Sequence, residues 1–144
     1  MGSQDMMPTV LGLLGCDIPE TVEGDDCSKF IKGDENEDRV SFIMACPGRA
    51  DFVEKFKKAG KNPADYGWRG VRTRKYTYVM ELGYDVICNP KRYLYDIQND
   101  PQQKNTLDLD NEENKQLAKT MEEEVIKWMK HQNDGFYKNW NSKL

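Results

Sequence analysis

Hydrophobic residues recur at two different spacings along this 144-residue chain, and the changes of spacing divide it into segments. Near the start, three apolar residues occur at helical spacing: Val10, Leu11 and Leu14. They lie between Asp5, which can cap a helix, and Gly15, which can end one. The pattern predicts a helix over residues 5–14 with one apolar face. One further helical turn is predicted over residues 28–32, after a polar loop.

Alternation with a period of two predicts the strands that follow. RVSFIMAC has apolar character on both of its faces, and WRGVRTRKYTYVMEL contains two strands joined by a tight turn near Arg74 and Lys75. RYLYDI is a further strand, ended by the turn signal NDP. Between the first two strands, DFVEKFKKAG predicts a helix.

A long amphipathic helix is predicted over residues 112–131, where helical spacing, acidic residues near the start and basic residues near the end agree. We expect it to lie across the sheet with four residues inward, Leu117, Met121, Val125 and Trp128, against four tyrosines, Tyr76, Tyr78, Tyr93 and Tyr95. The tail beyond it carries isolated aromatic residues that either pack back or remain loose: Phe136, Tyr137 and Trp140.

These elements predict an α+β fold in a single domain, residues 1–144, with a small antiparallel sheet of about four strands and a carboxy-terminal helix packed across one face. The net charge of −4 argues against a nucleic-acid partner, and no apolar run is long enough to span a membrane. Four cysteines without C-x-x-C spacing and one histidine disfavour a zinc site.

Four stretches, in this order, resemble the carboxy-terminal part of type I, formylglycine-dependent sulfatases of the alkaline-phosphatase-like superfamily. They are DMMPTVLGLLGCDIPETVEG, DDCSKFIKGD, GVRTRKYTYV and YLYDIQNDPQQKNTL. The resemblance implies that the nucleophile, the calcium ligands and the sulfate ligands lie upstream, in a large domain on which residues 5–33 would lean. The chain would then be a carboxy-terminal subdomain that helps to shape the substrate mouth, without catalysis or a cofactor of its own.

For the intact parent, the resemblance implies hydrolysis of the sulfate ester of a sulfated glycan or an aryl sulfate. It also implies a formylglycine nucleophile, bound calcium and a periplasmic or extracellular location. A stand-alone, non-catalytic binding or interaction module remains the alternative.

Cys88 tests that interpretation, because Cys88-Asn89-Pro90-Lys91-Arg92 matches Cys-x-Pro-x-Arg, in which these sulfatases oxidise the cysteine. In the family, however, Ser or Ala usually precedes the arginine and a helix follows, whereas here Lys91 is followed by a strand. Asn-Pro is typical of a turn. We therefore interpret Cys88 as part of a hairpin connection, and we predict no catalytic residue and no metal ligand in this chain. The alternative hypothesis is a minimal enzyme that uses Cys88 as its nucleophile.

One cluster at the start of the second strand is predicted to bind substrate: Tyr66, Trp68, Arg69 and Arg72. An aromatic ring can stack on a sugar, and a guanidinium can hold an anion with two hydrogen bonds. The resemblance implies that this loop faces the substrate mouth. The structural alternative is that the tryptophan is core and that the arginines face water.

Overall fold

The computed structural model describes residues 2–33 and 40–142, in two compact units made of residues 1–41 and 42–144. In the first unit, α1 (Met6–Leu14) ends at Gly15, whose φ of 70° is easily adopted by glycine, and α2 (Ser28–Ile31) follows. Val10 and Leu14 of α1 are 52% and 71% exposed. The apolar face of this helix is therefore incompletely covered by the described residues.

The sheet contains four strands in the spatial order of the sequence: β1 (Ser41–Ala45), β2 (Gly67–Arg72), β3 (Tyr76–Gly83) and β4 (Lys91–Asp96). β2 pairs with β3 and β3 with β4, both antiparallel. The tight turn between β2 and β3 lies where it was predicted. The Thr73 hydroxyl stabilises it by accepting hydrogen bonds from the backbone N–H groups of Lys75, at 3.2 Å, and Tyr76, at 2.9 Å.

Three helices complete the second unit: α3 (Ala50–Lys58), α4 (Glu112–His131) and α5 (Gly135–Asn141). The bounds of α4 agree with the prediction, since the Asn111 side chain caps its start by accepting hydrogen bonds from the Glu113 and Asn114 N–H groups. α4 packs against β2 and β3. The α+β fold, with a small antiparallel sheet and a helix across one face, is therefore confirmed.

The predicted faces of β4 were wrong. Leu94 lies opposite Tyr78 of β3 and is fully buried, so it is Leu94 that faces the core, whereas Tyr93 and Tyr95 are only partly buried and point to the other face. Both faces of this strand carry large apolar groups, so the alternation alone could not decide between them.

The inward stripe of α4 is shifted relative to the prediction. Met121 and Val125 are buried as expected, but the other two buried residues are Ala118 and Met129, whereas Leu117 and Trp128 are only partly buried at the edge of the core. The Trp128 ring stacks on Phe42 of β1 at a centroid distance of 4.9 Å.

The tail packs back and forms α5. Phe136 and Trp140 are both fully buried, and their rings stack at a centroid distance of 5.9 Å. Asp134 caps this helix by accepting a hydrogen bond from the Phe136 N–H at 2.9 Å. The carboxy-terminal segment is thus part of the core of the second unit.

Candidate functional site

The four predicted substrate residues do not form one surface, because side chains of β2 alternate between the two faces of the sheet and Tyr66 precedes this strand. Tyr66 and Arg69 are buried, whereas Trp68 is half-buried and Arg72 exposed. Trp68 and Arg72 stand four positions apart on the same strand and therefore share the face of the sheet opposite α4. Their predicted role in binding substrate stays a prediction, and the structure separates this pair from the other two residues.

Tyr66 packs inside the unit, with its ring 4.6 Å from that of Phe56 on α3. The next residue, Gly67, has a φ of 83°, and a Cβ at this position would collide with the carbonyl oxygen of Ala45. Glycine therefore allows the chain to turn from Tyr66 into β2 close to the end of β1.

Arg69 is the most completely engaged polar side chain of the cluster. Its Nε donates to Asp134 at 2.5 Å and its Nη2 donates to the other carboxylate oxygen at 3.1 Å. The remaining hydrogen bonds go to three backbone carbonyl oxygens, those of Ala64 at 2.8 Å, Trp68 at 3.1 Å and Tyr66 at 3.3 Å. A guanidinium has five N–H groups, so these contacts engage all of them. Arg69 ties β2 to the start of α5 in this structure.

A trough lies on the outer face of the sheet, which we define as the face opposite α4. Its volume is about 410 Å³, and it is lined by Trp68 of β2, Val79 and Glu81 of β3, and Tyr93 and Tyr95 of β4. The strand register explains this grouping, because Trp68 lies opposite Glu81, and Val79 lies opposite Tyr93. Ligand-binding pockets commonly have volumes of roughly 300–1,000 Å³ and combine aromatic walls with a few polar groups.

The polar groups of the trough influence one another. Burial, followed by a hydrogen bond to Glu81 and by the charge of Glu81, raises the pKa of Tyr93. Burial and the same charge raise the pKa of Tyr95. Both phenols therefore keep their protons at neutral pH and can donate hydrogen bonds, while the Glu81 carboxylate accepts them.

Cys88, Asn89 and Pro90 of the Cys-x-Pro-x-Arg match lie in the connection between β3 and β4, as predicted, and the last two residues of the match begin β4. Cys88 is partly buried against the core. Arg92, the last residue of the match, lies on β4 and donates to Glu122 of α4 at 2.8 and 3.1 Å. The arginine of the match therefore holds a helix to the sheet.

Glu122 also accepts a short hydrogen bond from the hydroxyl of Tyr78. Burial raises the pKa of Glu122, but the hydrogen bonds from Arg92 and Tyr78 outweigh it, and the net effect is to lower the pKa below its ordinary value. Burial and the hydrogen bond to Glu122 raise the pKa of Tyr78. The three side chains form a network between sheet and α4, which sequence spacing did not reveal because Glu122 lies 44 residues beyond Tyr78.

Calcium, which the sulfatase resemblance implies for the intact parent, takes about six to eight oxygen ligands. Within residues 2–33 and 40–142, no three His, Cys, Asp or Glu side chains gather in a way that could hold a metal ion. The described residues thus do not fit a calcium site. None of the helices in the same ranges has the length and apolar character needed to cross a bilayer.

Sequence reasoning found Trp68 but missed its partners in the trough, Glu81, Tyr93 and Tyr95. The available signal was the period-two spacing of Tyr93 and Tyr95, which was assigned to the core face. Their true orientation depends on pairing with β3, which is a tertiary property.

Comparison with known proteins adds an independent observation, although no family model matches the chain. The chain is 30% identical over 144 residues to an endo-4-O-sulfatase of Bacteroides thetaiotaomicron, an alignment that covers 95% of this chain and 27% of the relative. It is 31% identical over 96 residues to a ulvan-active sulfatase of Formosa agariphila, covering 62% of this chain and 17% of the relative. The chain thus spans about a quarter or less of the length of these relatives.

Solved structures show the same partial correspondence. A Bacteroides fragilis protein assigned as a sulfatase superposes with a TM-score of 0.64 at 27% identity, covering 93% of this chain and 26% of that one. A 4-sulfatase from a glycosaminoglycan-metabolism locus of Bacteroides thetaiotaomicron gives 0.62 at 29% identity, covering 94% of this chain and 28% of that one. A protein solved with its substrate D-glucosamine-2-N,6-O-disulfate gives 0.51 at 14% identity, covering 94% of this chain and 24% of that one, and supports the fold alone.

Proposed function

Since this chain belongs to the sulfatases, as a carboxy-terminal subdomain of the type I family, we propose that it serves a sulfuric ester hydrolase whose catalytic groups lie in a separate large domain. In that role it would help to shape the mouth of the substrate site. The observation that supports the proposal most directly is the alignment, which covers 95% of this chain but 27% of the endo-4-O-sulfatase.

The proposal requires that this chain contacts a large catalytic domain, and the exposed apolar residues of the first unit support such a contact. α1 exposes a set of large apolar side chains: Met6, Met7, Val10, Leu13 and Leu14. A contiguous apolar surface of this kind is typical of an interaction site. We propose that the large domain of the parent enzyme covers it.

On the outer face of the sheet, Trp68 and Arg72 supply the substrate-facing groups of the proposal. Trp68 offers a half-exposed ring, and the exposed Arg72 guanidinium can donate two parallel hydrogen bonds to a sulfate. Arg69 contributes indirectly, because its bonds to Asp134 and to the Trp68 carbonyl oxygen fix the backbone that carries Trp68. No step of the reaction passes through calcium or Cys88 in this chain.

A chimera tests the proposal. The 144-residue chain by itself is expected to turn over no aryl sulfate with calcium present. Joined in place of the matching 27% of the Bacteroides thetaiotaomicron endo-4-O-sulfatase, it is expected to restore hydrolysis to the truncated enzyme. Arg72→Ala in the chimera is expected to raise KM more than it lowers kcat, whereas Cys88→Ala is expected to leave both unchanged.

Turnover by the isolated chain that disappears in Cys88→Ala would overturn the proposal in favour of the minimal enzyme. A folded chimera without activity would instead favour a stand-alone binding module. The completeness of the core in the second unit supports that alternative, since Trp140, Phe136 and Leu94 are fully buried by this chain alone.

A further inference from the structure

The trough on the outer face is bounded by aromatic residues of the two strands that flank β3. Trp68 stands on β2 and Tyr93 on β4, with only β3 between them, and neighbouring strands lie about 4.8 Å apart. The two strands are therefore about 10 Å apart, and Trp68 and Tyr93 are offset by one same-face position along them, because Trp68 lies opposite Glu81 and Tyr93 opposite Val79. Val79 forms an apolar floor.

Gly70 of β2 leaves no room for a side chain beside the trough. Gly70 lies opposite Val79 on the same face as Trp68, and a Cβ there would collide with the carbonyl oxygen of Tyr78 and lie 3.3 Å from Cγ2 of Val79. Cγ1 of Ile43 on β1 lies 3.4 Å from the same position, and Gly70 is buried by these neighbours.

The aromatic rings of the trough are only partly buried, unlike the rings of the core. The rings of Tyr93 and Tyr95 lie within 24° of parallel at a centroid distance of 6.3 Å and so form a nearly flat strip. Flat aromatic surface that remains in contact with water is suited to a ligand with an apolar face and a polar edge. A pyranose ring has both, since its C–H groups lie on its faces and its hydroxyls project from its edge.

The polar groups favour an uncharged ring over an anion or a cation. Glu81 is an acceptor-only carboxylate among the aromatic side chains, so it disfavours a sulfate at this point and accepts hydrogen bonds from hydroxyls. Lys91 lies opposite Glu81 on β4, which places a positively charged residue beside the carboxylate. Arg72 provides a place for an anion on the same face, two rows from Glu81 and in the row of Tyr95.

We propose that the trough binds an uncharged pyranose unit of a polysaccharide, which stacks between Trp68 and Tyr93 and donates hydroxyl hydrogen bonds to Glu81. This inference deepens the proposed function, because it names an unsulfated sugar as the ligand of this part of the surface. It rests on the proposed function for one point, the position of the trough beside a sulfate-ester site. Binding itself needs no catalytic domain and can be measured on the 144-residue chain.

The experiment titrates the isotope-labelled chain with three neutral hexasaccharides, cellohexaose, chitohexaose and β-1,4-galactohexaose. It compares them with fully O-sulfated cellohexaose and with a triarginine peptide. The indole N–H resonance of Trp68 reports binding, and that of the fully buried Trp140 serves as an internal reference. At least one neutral oligosaccharide is expected to shift the Trp68 resonance with saturation.

Variants assign the contacts. Trp68→Ala and Tyr93→Ala are each expected to weaken binding by about tenfold or more, as for the loss of one stacked ring. Glu81→Gln keeps the shape of the side chain but removes its charge. We expect this variant to bind the neutral oligosaccharide more weakly and the sulfated one more tightly than the wild type does. Phe30→Ala removes a 45% exposed ring that does not line the trough and is the matched control, expected to bind as the wild type does.

The inference would be overturned by the absence of saturable binding of any neutral hexasaccharide, by unchanged binding in a folded Trp68→Ala variant, or by preferential binding of triarginine that Glu81→Gln abolishes. Preferential binding of the sulfated sugar would also overturn it. The two proposals fail separately. An active chimera would support the proposed function even if no sugar bound to the trough. Sugar binding to the isolated chain would support the trough inference even if the chimera were inactive.

Discussion

Asp134 performs two tasks that substitutions can separate. Its carboxylate pairs with Arg69, whose side chain is 1% exposed, and one of its oxygens also caps α5 through the Phe136 N–H. Asp134→Asn keeps a capping group of similar quality but removes the charge, whereas Asp134→Ala removes both. We therefore expect the alanine variant to be the less stable of the two.

The magnitudes follow from the burial of the pair. Removing one partner of a buried ion pair costs about 3–5 kcal/mol, and the amide oxygen of Asn can still accept one hydrogen bond, so we expect a loss of about 2–4 kcal/mol for Asp134→Asn. Loss of the cap adds about 1–2 kcal/mol, so Asp134→Ala is expected to cost about 4–7 kcal/mol. Typical unfolding free energies are about 5–15 kcal/mol, so this variant would be close to unfolding.

Urea denaturation at neutral pH, followed by tryptophan fluorescence, measures these differences. Asn111→Ala is the matched control, because it removes a helix cap of the same kind from α4 without leaving a buried cation, and should cost about 1 kcal/mol. The double variant Arg69→Met, Asp134→Asn should recover part of the loss, since no unpaired charge remains buried. If Asp134→Ala cost no more than Asn111→Ala, the argument from the buried pair would be refuted.

Three further predictions concern the core, its pH dependence and Cys88. Trp140→Ala should cost about 3–5 kcal/mol and Trp128→Ala clearly less, because only the former ring is fully buried; equal losses in urea denaturation would contradict this. The pKa of Glu122 is lower in the folded chain than its ordinary value of 4.5, so its contribution to stability is complete above that value and is lost as pH falls through the folded pKa. The unfolding free energy, measured by urea denaturation from pH 6 down to pH 3, should therefore decline, and it should decline less in Glu122→Gln. The same pH dependence in the variant and the wild type would contradict this prediction. Cys88 should remain a thiol in cells that contain the formylglycine-generating enzyme, and peptide mass spectrometry showing an aldehyde at this position would refute that prediction.

Local signals in the sequence determined the elements of this protein and several of their limits. α4 occupies the predicted residues because a cap, helical spacing and favourable end charges act within a few positions of one another. The turn between β2 and β3 follows from the hydroxyl of Thr73, which bonds to residues two and three positions later. The sulfatase resemblance was also carried by local motifs, and the relatives support it.

The tertiary structure alone decided which side of each element is buried. Tyr93 and Leu94 are neighbours of similar apolar character, and only the pairing of Leu94 with Tyr78 sends the tyrosine outward into the trough. Arg69 looked suited to an anionic substrate, but a carboxylate 65 residues later engages it instead. Hydrogen bonds and strand register between distant residues depend on how the whole chain packs, so a local pattern predicts that a helix or strand forms but not which of its faces becomes the core and which the candidate binding surface.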